Sequence, residues 1–294
     1  MRYASAGAFR TALEQRLLTQ AKQTGVPLMR LRKLVAFDRL IARLVAAAPE
    51  RWVLKGAVAL HFRAGPRFRS TMDLDLGRYD DEPAAADDLL AAQALDLGDY
   101  FGFAIQRMSR LDALLEGPAV RYHVTAELDG RPFEFVTVDV GFGGPPPLAP
   151  DVLRGLDLLG FAGVPPTEVP TLALEQHVAE KVHAYTRVYA GGRASTRVKD
   201  LVDLVLISAQ FALAAGRLRR ALDATFAMRA VQPLPSALPP PPGEWRPGYR
   251  RMAAEAGLDP ELAAGYEQAR AFLDPILDGS VPGDAKWDHV RRTW

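Results

Sequence analysis

Two aspartates separated by one apolar residue, Asp73 and Asp75, are the side chains in the 294-residue sequence whose spacing points most directly to chemistry. On a β-strand, residues i and i+2 point to the same face, so these carboxylates project side by side while Leu74 points to the core. Adjacent carboxylates repel each other unless a cation lies between them. Carboxylate oxygens suit Mg²⁺, which completes its shell with water and substrate phosphates. The spacing predicts an Mg²⁺ site for phosphoryl or nucleotidyl transfer; the alternative is a solvated strand face or a turn.

The segment before the two aspartates favours the Mg²⁺ interpretation. Gly56 and Ala57 lie between a predicted strand at 52–54 and a predicted helix at 57–62, and backbone N–H groups at such a junction favour phosphate. Guanidinium groups that bind anionic oxygens follow in the next loop, at Arg63, Arg67 and Arg69. A turn, a basic loop and an Asp-X-Asp strand together are more specific than any one of them.

A third carboxylate lies late in a predicted strand. Asp139 follows the alternating residues 133–138, where an acid among β-branched neighbours is unusual. In one antiparallel sheet with the Asp-X-Asp strand, it would accept the proton of an attacking hydroxyl and share a metal. The alternative is an aspartate at a strand end that meets water.

A charged strip follows in the second half of the chain, at Lys181 and in residues 197–203. Asp200 and Asp203 have the i, i+3 spacing of helix neighbours, and Lys199 and Asp203 have the i, i+4 spacing. The simpler interpretation is a salt-bridged helix surface. Because apolar residues lie on both sides of this helix, the alternative interpretation is that the strip lines a cleft, where a lysine reaches a triphosphate and an aspartate orients it.

Composition excludes several other classes of site. The chain has no cysteine, which excludes disulfides, thiol catalysis and Cys-ligated zinc and is compatible with a cytosolic protein. The five histidines lack zinc spacing, and no hydrolase nucleophile motif, P-loop or dinucleotide fingerprint is present. We find no signal peptide and no apolar stretch long enough for a bilayer, so we expect a cytoplasmic protein without a membrane partner. Because the net charge is only +1, a basic surface would have to come from local clustering of lysines and arginines.

The helices and strands predicted around these residues indicate an α+β fold. Two helices, at 9–23 and 28–48, precede a mixed region with strands at 72–76, 101–108, 120–128 and 133–140. Asp129-Gly130 between two alternating runs is a strong hairpin signal. The glycine- and proline-rich residues 143–147 are predicted to end the sheet, which gives domains at 1–145 and 146–294. Helices follow from an N-cap at Thr171, interrupted by a proline-rich extended loop at 233–247.

Four groups of residues, in the order found here, resemble the AbiEii/AbiGii-type nucleotidyltransferase toxins of type IV toxin–antitoxin systems, which include the mycobacterial MenT proteins. They are residues 55–57 with Ala59 and Leu60, the run 69–75, residues 179–181 and the segment 197–203. The resemblance covers about residues 31–208, and the C-terminal third of the chain lies outside it.

The resemblance implies a DNA polymerase β-like nucleotidyltransferase core with a mixed or antiparallel sheet and a helical C-terminal lobe. It implies Mg²⁺-dependent transfer of a nucleoside monophosphate from an NTP, in some members to the 3′ acceptor end of tRNA, which blocks translation and growth. It also implies a cognate antitoxin encoded nearby. Asp73 and Asp75 match the metal carboxylates, Lys181 the lysine of the third motif and Asp203 the aspartate of the fourth, whereas Asp139 is placed by strand position.

One position departs from the family pattern. The family turn is usually Gly-Gly or Gly-Ser, and here it is Gly56-Ala57. The backbone N–H is kept, so phosphate can still dock. A serine hydroxyl contact is lost, and a positive φ at Ala57 would be strained.

Together these features predict an Mg²⁺-dependent RNA nucleotidyltransferase toxin. The predicted phosphate-binding residues are Lys55, Gly56, Ala57, Arg69, Thr71 and Lys199, with Lys181 also neutralising phosphate charge. The alternatives are a nucleotidyltransferase for a small molecule, a phosphotransferase for a protein, and a binding module that kept the fold without activity. A cluster of arginines that suits a polynucleotide backbone favours RNA over a small molecule: Arg217, Arg219, Arg220, Arg246, Arg250 and Arg251.

Two hydroxyls beside the aspartates suggest a switch. Phosphorylation of Ser70 or Thr71 would place a charge of about −1.5 to −2 beside the metal carboxylates and repel NTP. The simpler alternative is that these hydroxyls bond the local turn.

Overall fold

The chain forms two compact units. The computed structural model describes residues 1–65, 71, 73–110, 118–187 and 197–294. The first unit comprises Met1–Pro145 and Pro150–Leu172, and the second comprises Pro146–Ala149 and Ala173–Trp294. Among the described residues, no helix is both long and apolar enough to cross a membrane.

The first unit is built on one mixed sheet. In the described residues its strands lie in the order β3-β4-β5-β2-β1-β7-β6. Their bounds are β1 Val53–Lys55, β2 Asp73–Arg78, β3 Phe101–Arg110, β4 Ala119–Leu128, β5 Arg131–Phe142, β6 Asp151–Arg154 and β7 Glu168–Thr171. The β2–β5 and β1–β7 pairs are parallel and the others antiparallel. The predicted α+β class with a mixed sheet is confirmed.

Helices cover one face of this sheet and leave the carboxylates on the other. The helices of the first unit are α1 Ala6–Thr24, α2 Leu28–Ala47, α3 Gly56–Ala64 and α4 Glu82–Ala94. Residues of α1, α2 and α4 form one apolar cluster with inward-facing strand residues such as Leu74, Val138 and Val124. Because side chains alternate along a strand, Asp73, Asp75 and Asp139 lie on the opposite face.

The sheet continues beyond the predicted domain boundary at residue 145. Strand β7 pairs with β1 at Thr171 and Leu54, and the Leu172 amide donates to the Leu54 carbonyl at 2.9 Å. Strand β6 then pairs with β7. Thr171 is therefore a strand residue and not a helix cap, because its backbone is used by the sheet; the helix that follows begins at Leu174, with Ala173 at its N-cap.

The second unit is helical in its described residues. Its helices are α5 Leu174–Thr186, α6 Val198–Gln210, α7 Ala215–Arg229, α8 Arg246–Glu255 and α9 Leu262–Leu277. The C-terminal tail packs on these helices: Trp287 and Trp294 contact the Phe272 ring at 5.0 and 5.7 Å between ring centroids. Their indole N–H groups donate to the carbonyls of Ser208 and Phe272 at 2.7 and 2.8 Å. These bonds fix the tail although it has no regular helix.

The proline-rich segment is fixed at its centre. Leu238 is buried, its amide donates to Asp274 at 2.8 Å and its carbonyl accepts from the Tyr266 hydroxyl at 2.9 Å. The Tyr185 hydroxyl donates to the Pro239 carbonyl at 2.7 Å. Side chains of α5 and α9 thus replace the backbone ladder that prolines cannot form.

Candidate active site

Strand β2 presents the two aspartates as the sequence predicts. Leu74 and Leu76 are 0% and 2% exposed, whereas Asp73 and Asp75 are half-buried on the other face. The Thr71 hydroxyl donates to the Asp73 carbonyl at 3.0 Å and lies 3.4 Å from the Asp73 amide, which donates to it. This hydroxyl therefore forms the turn at the start of β2. The predicted site residues Arg69 and Ser70 lie outside the described residues.

In the turn before α3, the residue with a positive φ is Gly56. Gly56 has φ of +62°, while Ala57 lies inside α3 and is 2% exposed, so the strain that a positive φ at Ala57 would cause does not arise. A Cβ atom built on Gly56 would lie 1.7 Å from Asp75 Oδ2. Only a glycine allows both this backbone conformation and this close approach. The N-terminus of α3 thus lies against a site carboxylate, where a helix N-terminus favours negative charge.

A row of four charged residues crosses the sheet beside this turn. Lys55 of β1 is opposite Asp75 of β2, and Asp75 is opposite Asp139 of β5. Asp139 is in turn opposite Arg121 of β4. The expectation of an antiparallel arrangement around Asp139 was wrong for its pairing with β2, which is parallel because β5 runs in the direction of β2. The register nevertheless brings the third carboxylate beside the first two.

Arg121 is a site residue that the sequence analysis missed. Its Nε and Nη2 atoms donate to both carboxylate oxygens of Asp139 at 2.8 and 2.7 Å. These hydrogen bonds to Asp139 raise the pKa of Arg121 above its ordinary value; partial burial opposes the shift, and the charges of Asp139, Asp73 and Asp75 add to it. The Arg121 guanidinium therefore interacts with all three carboxylates.

The oxygen donors of β2 fit a hard divalent ion. Asp73 and Asp75 provide carboxylate oxygens on one partly exposed face, which is the donor type that Mg²⁺ takes together with water and phosphate. Among the described residues, no group of three or more histidine, aspartate or glutamate side chains is arranged to hold a metal ion. The fit to Mg²⁺ therefore rests on the Asp73 and Asp75 pair.

The predicted charged strip of the second unit is a buried cluster. Lys181 Nζ lies 2.5 Å from Asp203 and 3.3 Å from Asp200, and Arg197 Nε lies 2.6 Å from Asp200. Lys181, Asp200 and Asp203 are 7%, 1% and 0% exposed. In the described residues Asp203 thus pairs with Lys181 rather than with the predicted partner Lys199, which is exposed.

The predicted arginine cluster is only partly available to an anion. Three of its members form ion pairs within the second unit, Arg217 with Glu175, Arg219 with Asp223 and Arg250 with Glu261. Arg220, Arg246 and Arg251 are exposed.

The chain is similar to known nucleotidyltransferase toxins. A model of the family described as nucleotidyl transferase AbiEii toxin, type IV toxin–antitoxin system, matches residues 39–289. The match includes the C-terminal third and excludes the first 38 residues, so the predicted extent of the resemblance was wrong at both ends. No curated protein matches the chain by sequence.

A solved structure shares the fold, and two others are similar to a lesser extent. The nucleotidyltransferase toxin MenT4 of Mycobacterium tuberculosis is 19% identical, with a TM-score of 0.58 over 95% of this chain and 92% of MenT4. A nucleotidyltransferase described as putative and the protein JHP933, both of Helicobacter pylori, are each 15% identical. They have TM-scores of 0.43 and 0.42, over 86% and 84% of this chain and 96% and 92% of their own.

Proposed function

Because this chain belongs to the AbiEii nucleotidyltransferase toxin family of type IV toxin–antitoxin systems, we propose that it transfers a nucleoside monophosphate from an NTP to RNA. The proposed acceptor is the 3′ end of tRNA, whose modification would stop translation and growth. The observation that carries the proposal is the Asp73 and Asp75 pair on the partly exposed face of β2, beside the glycine turn that opens α3.

The proposed reaction needs positioning and charge stabilisation more than covalent chemistry. The acceptor 3′-oxygen attacks the α-phosphorus, the bond from that phosphorus to the bridging oxygen breaks, and pyrophosphate leaves. Asp139 orients the hydroxyl and takes its proton, and Lys55 contributes positive charge next to Asp75 in the sheet. Mg²⁺, when bound by Asp73 and Asp75, would neutralise the triphosphate.

Exposed cations support a polynucleotide acceptor. Arg220, Arg246 and Arg251 remain exposed on the second unit, where a phosphate backbone would gain from them. A small-molecule acceptor would need no such cations.

The test is transfer of label from the α-phosphate. Purified protein is incubated with total tRNA, Mg²⁺ and each α-³²P-labelled NTP in turn, with Asp73→Asn as the inactive control. Label in tRNA with the wild-type protein alone supports the proposal and identifies the nucleotide. Without label in tRNA, the same reactions with small molecules, and γ-³²P-labelled NTP with protein acceptors, test the two alternative transferases.

Gly56→Ala is expected to reduce transfer by about 10²-fold or more, because the new Cβ would displace the Asp75 carboxylate from a site that requires precise positioning. The matched control is Gly65→Ala, since Gly65 also has a positive φ, +83°, but has nothing within 4 Å of the added Cβ. Backbone strain should cost each variant roughly 1–3 kcal/mol of stability, and Gly56→Ala should lose more because its Cβ also contacts Asp75. Equal activities of the two variants would contradict a role for the Gly56–Asp75 contact.

The family implies an antitoxin partner, and we propose that modification at Ser70 or Thr71 is one way to silence the enzyme. Thr71→Glu adds negative charge next to Asp73 and removes the hydroxyl that forms the turn. We expect it to lower transfer about tenfold more than Thr71→Val, which removes the hydroxyl alone. Similar losses in the two variants, measured in the labelling assay, would argue against control by charge.

A further inference from the structure

Next to the row of four charged residues, the same face of the sheet carries an exposed aromatic ring. Val136 and Val138 belong to the apolar core, so alternation along β5 places Phe135 and Thr137 on the face of Asp139. Phe135 is 63% exposed. A single exposed apolar residue is ordinary on a protein surface. This ring, however, shares a strand face with a carboxylate of the candidate active site, which is the position of a substrate-binding residue.

The strand register places two further rows of residues on this face. They are Gln106, His123, Thr137 and Asp73 in the first row, and Ala104, Thr125 and Phe135 in the second. Gln106 and His123 are exposed, and Thr125 and Thr137 are half-buried. From the usual strand spacing and rise, the backbone of Phe135 lies roughly 8 Å from that of Asp73 and about 13 Å from that of Asp139. A nucleotide that reaches these aspartates can therefore also reach Phe135.

The two rows lie on the acceptor side of the proposed reaction. The Gly56 turn and the N-terminus of α3, which suit the triphosphate, approach Asp75 from the side of β1. Asp139, which takes the proton of the 3′-hydroxyl in this reaction, lies next to Asp75 on the side of β5. The acceptor nucleotide therefore arrives over β5 and β4, where the ring of Phe135 is.

The side chains of these rows suit an unpaired nucleotide. An aromatic ring stacks on any base, and this stacking tolerates all sequences because every base has a π-face. Unpaired bases also form hydrogen bonds along their edges, for which His123 offers ring nitrogens and Thr137 a hydroxyl. In a duplex the bases already stack on one another and offer no face to Phe135. The next residue of β4 on this face is Glu127, whose charge would repel phosphate, so only a short end of the acceptor is favoured.

We propose that Phe135, with Thr125, Thr137, His123 and Gln106, forms a platform that binds the unpaired 3′ end of the RNA acceptor. A base of this end stacks on the Phe135 ring, and His123 and Thr137 form hydrogen bonds with the same end. The platform selects acceptors by their single-stranded end and not by their sequence. This inference rests on the proposed nucleotidyl transfer and specifies which feature of the RNA the site recognises.

The first experiment compares the kinetic constants of Phe135→Ala for the two substrates. Loss of one stacked base should raise KM for tRNA about tenfold. The value of kcat and the KM for the NTP should stay within about twofold, because only acceptor binding is removed. Phe135→Trp keeps an aromatic face and should keep KM for tRNA within about threefold of the wild type. An unchanged KM for tRNA in Phe135→Ala, or a rise in KM for the NTP instead, would overturn the inference.

Leu90→Ala is the matched control for Phe135→Ala. Leu90 is 60% exposed on α4, a helix that packs on the opposite face of the sheet. It removes a similarly exposed apolar side chain away from the platform, so all three kinetic constants should stay at wild-type values within about twofold. Thermal melts of both variants should coincide with that of the wild type, since neither side chain is buried.

The second experiment varies the RNA. An RNA hairpin made from a tRNA acceptor stem with its unpaired 3′ end is compared with the same stem whose 3′ end is paired. The preference of the enzyme for the unpaired end, as a ratio of kcat/KM values, should be about tenfold smaller in Phe135→Ala than in the wild type. The reason is that the variant has no ring on which an unpaired base can stack. The same preference in both proteins would contradict the platform.

A binding measurement without NTP separates this inference from the proposed function. The hairpin with the unpaired end carries 2-aminopurine at one of its last two positions, and fluorescence titration gives Kd. We expect Phe135→Ala to raise Kd about tenfold and Phe135→Trp to keep it. Label in tRNA together with an unchanged KM and Kd in Phe135→Ala would overturn the platform and leave nucleotidyl transfer intact. A protein that binds the hairpin through Phe135 but labels no RNA would keep the platform and overturn the transfer, and a wild type that does neither would overturn both.

Discussion

Asp73→Asn is expected to lower nucleotidyl transfer by at least on the order of 10³-fold while the thermal unfolding temperature stays the same or rises slightly. The substitution keeps the shape of the side chain and removes a charge that the proposed transition state uses. Asp73 is half-buried on the face of β2 opposite the apolar core, so its substitution opens no cavity in the core. Removing one of two adjacent negative charges also relieves their repulsion. The labelling assay and a thermal melt measure the two quantities.

Glu127→Gln is the matched control for this substitution. Glu127 lies on β4 of the same sheet and is also half-buried, so the change removes one carboxylate charge away from the row at Asp75 and Asp139. We expect transfer by Glu127→Gln to stay within about twofold of the wild type, since surface changes away from a site have small effects. A fully active Asp73→Asn protein would refute the assignment of β2 as the catalytic strand.

Lys181→Met is expected to destabilise the second unit by about 3–5 kcal/mol, because it removes the lysine cation from the buried Asp203 carboxylate. Asp203 is 0% exposed and accepts from Lys181 at 2.5 Å, while Asp200 keeps Arg197 at 2.6 Å. The melting temperature should fall by on the order of 10 °C. Lys199→Met, one turn of α6 before Asp203, removes an exposed lysine and should change stability by less than about 0.5 kcal/mol.

The double variant Lys181→Met/Asp203→Leu separates structure from chemistry. Replacing both members of a buried ion pair with apolar side chains of similar volume is often neutral or stabilising. We therefore expect the double variant to regain most of the stability that Lys181→Met loses. A stable but inactive double variant would support the predicted phosphate role of Lys181, whereas a stable and active one would show that the pair only holds α5 to α6. A double variant as unstable as the single one would contradict the buried-pair explanation.

The carboxylate strand and the hairpin were predictable because their signals are local. Alternation places Leu74 and Leu76 in the core and leaves the two aspartates outside, and Asp129-Gly130 forms the predicted turn between β4 and β5. These features depend on neighbours within a few residues. The family resemblance was also confirmed, since its motifs are short and ordered along the chain.

The partner of Asp139 was not predictable from these signals. Near the hairpin turn, Leu128 is opposite Arg131 and Glu127 opposite Pro132, and continuing that register would place Arg121 opposite Val138. The register shifts by one residue between Ala126 and Glu127, and this irregularity brings Arg121 opposite Asp139 on the face that carries Asp75. A single extra residue in one strand changes every later pair, and sequence periodicity does not show where it lies.

Long-range contacts account for the other differences. The predicted pair of Lys199 and Asp203 follows helix spacing, but Asp203 lies on the buried side of α6 and meets Lys181 of α5. Likewise, the glycines and prolines at 143–147 were predicted to end the sheet, yet β7 pairs with β1 and β6 pairs with β7 beyond them. Both differences arise from contacts between residues that are distant in the sequence, and local propensity does not reveal such contacts.

The row of Lys55, Asp75, Asp139 and Arg121 has a consequence for the biosynthesis of the protein. Its members come from β1, β2, β5 and β4, which are separated along the chain and joined only when the sheet closes. A nascent chain on the ribosome holds the Asp-X-Asp strand long before the hairpin that supplies the last two members. Non-local pairing of this kind forms late in folding. The assembled charge row therefore exists only after most of the first unit has been synthesised and folded.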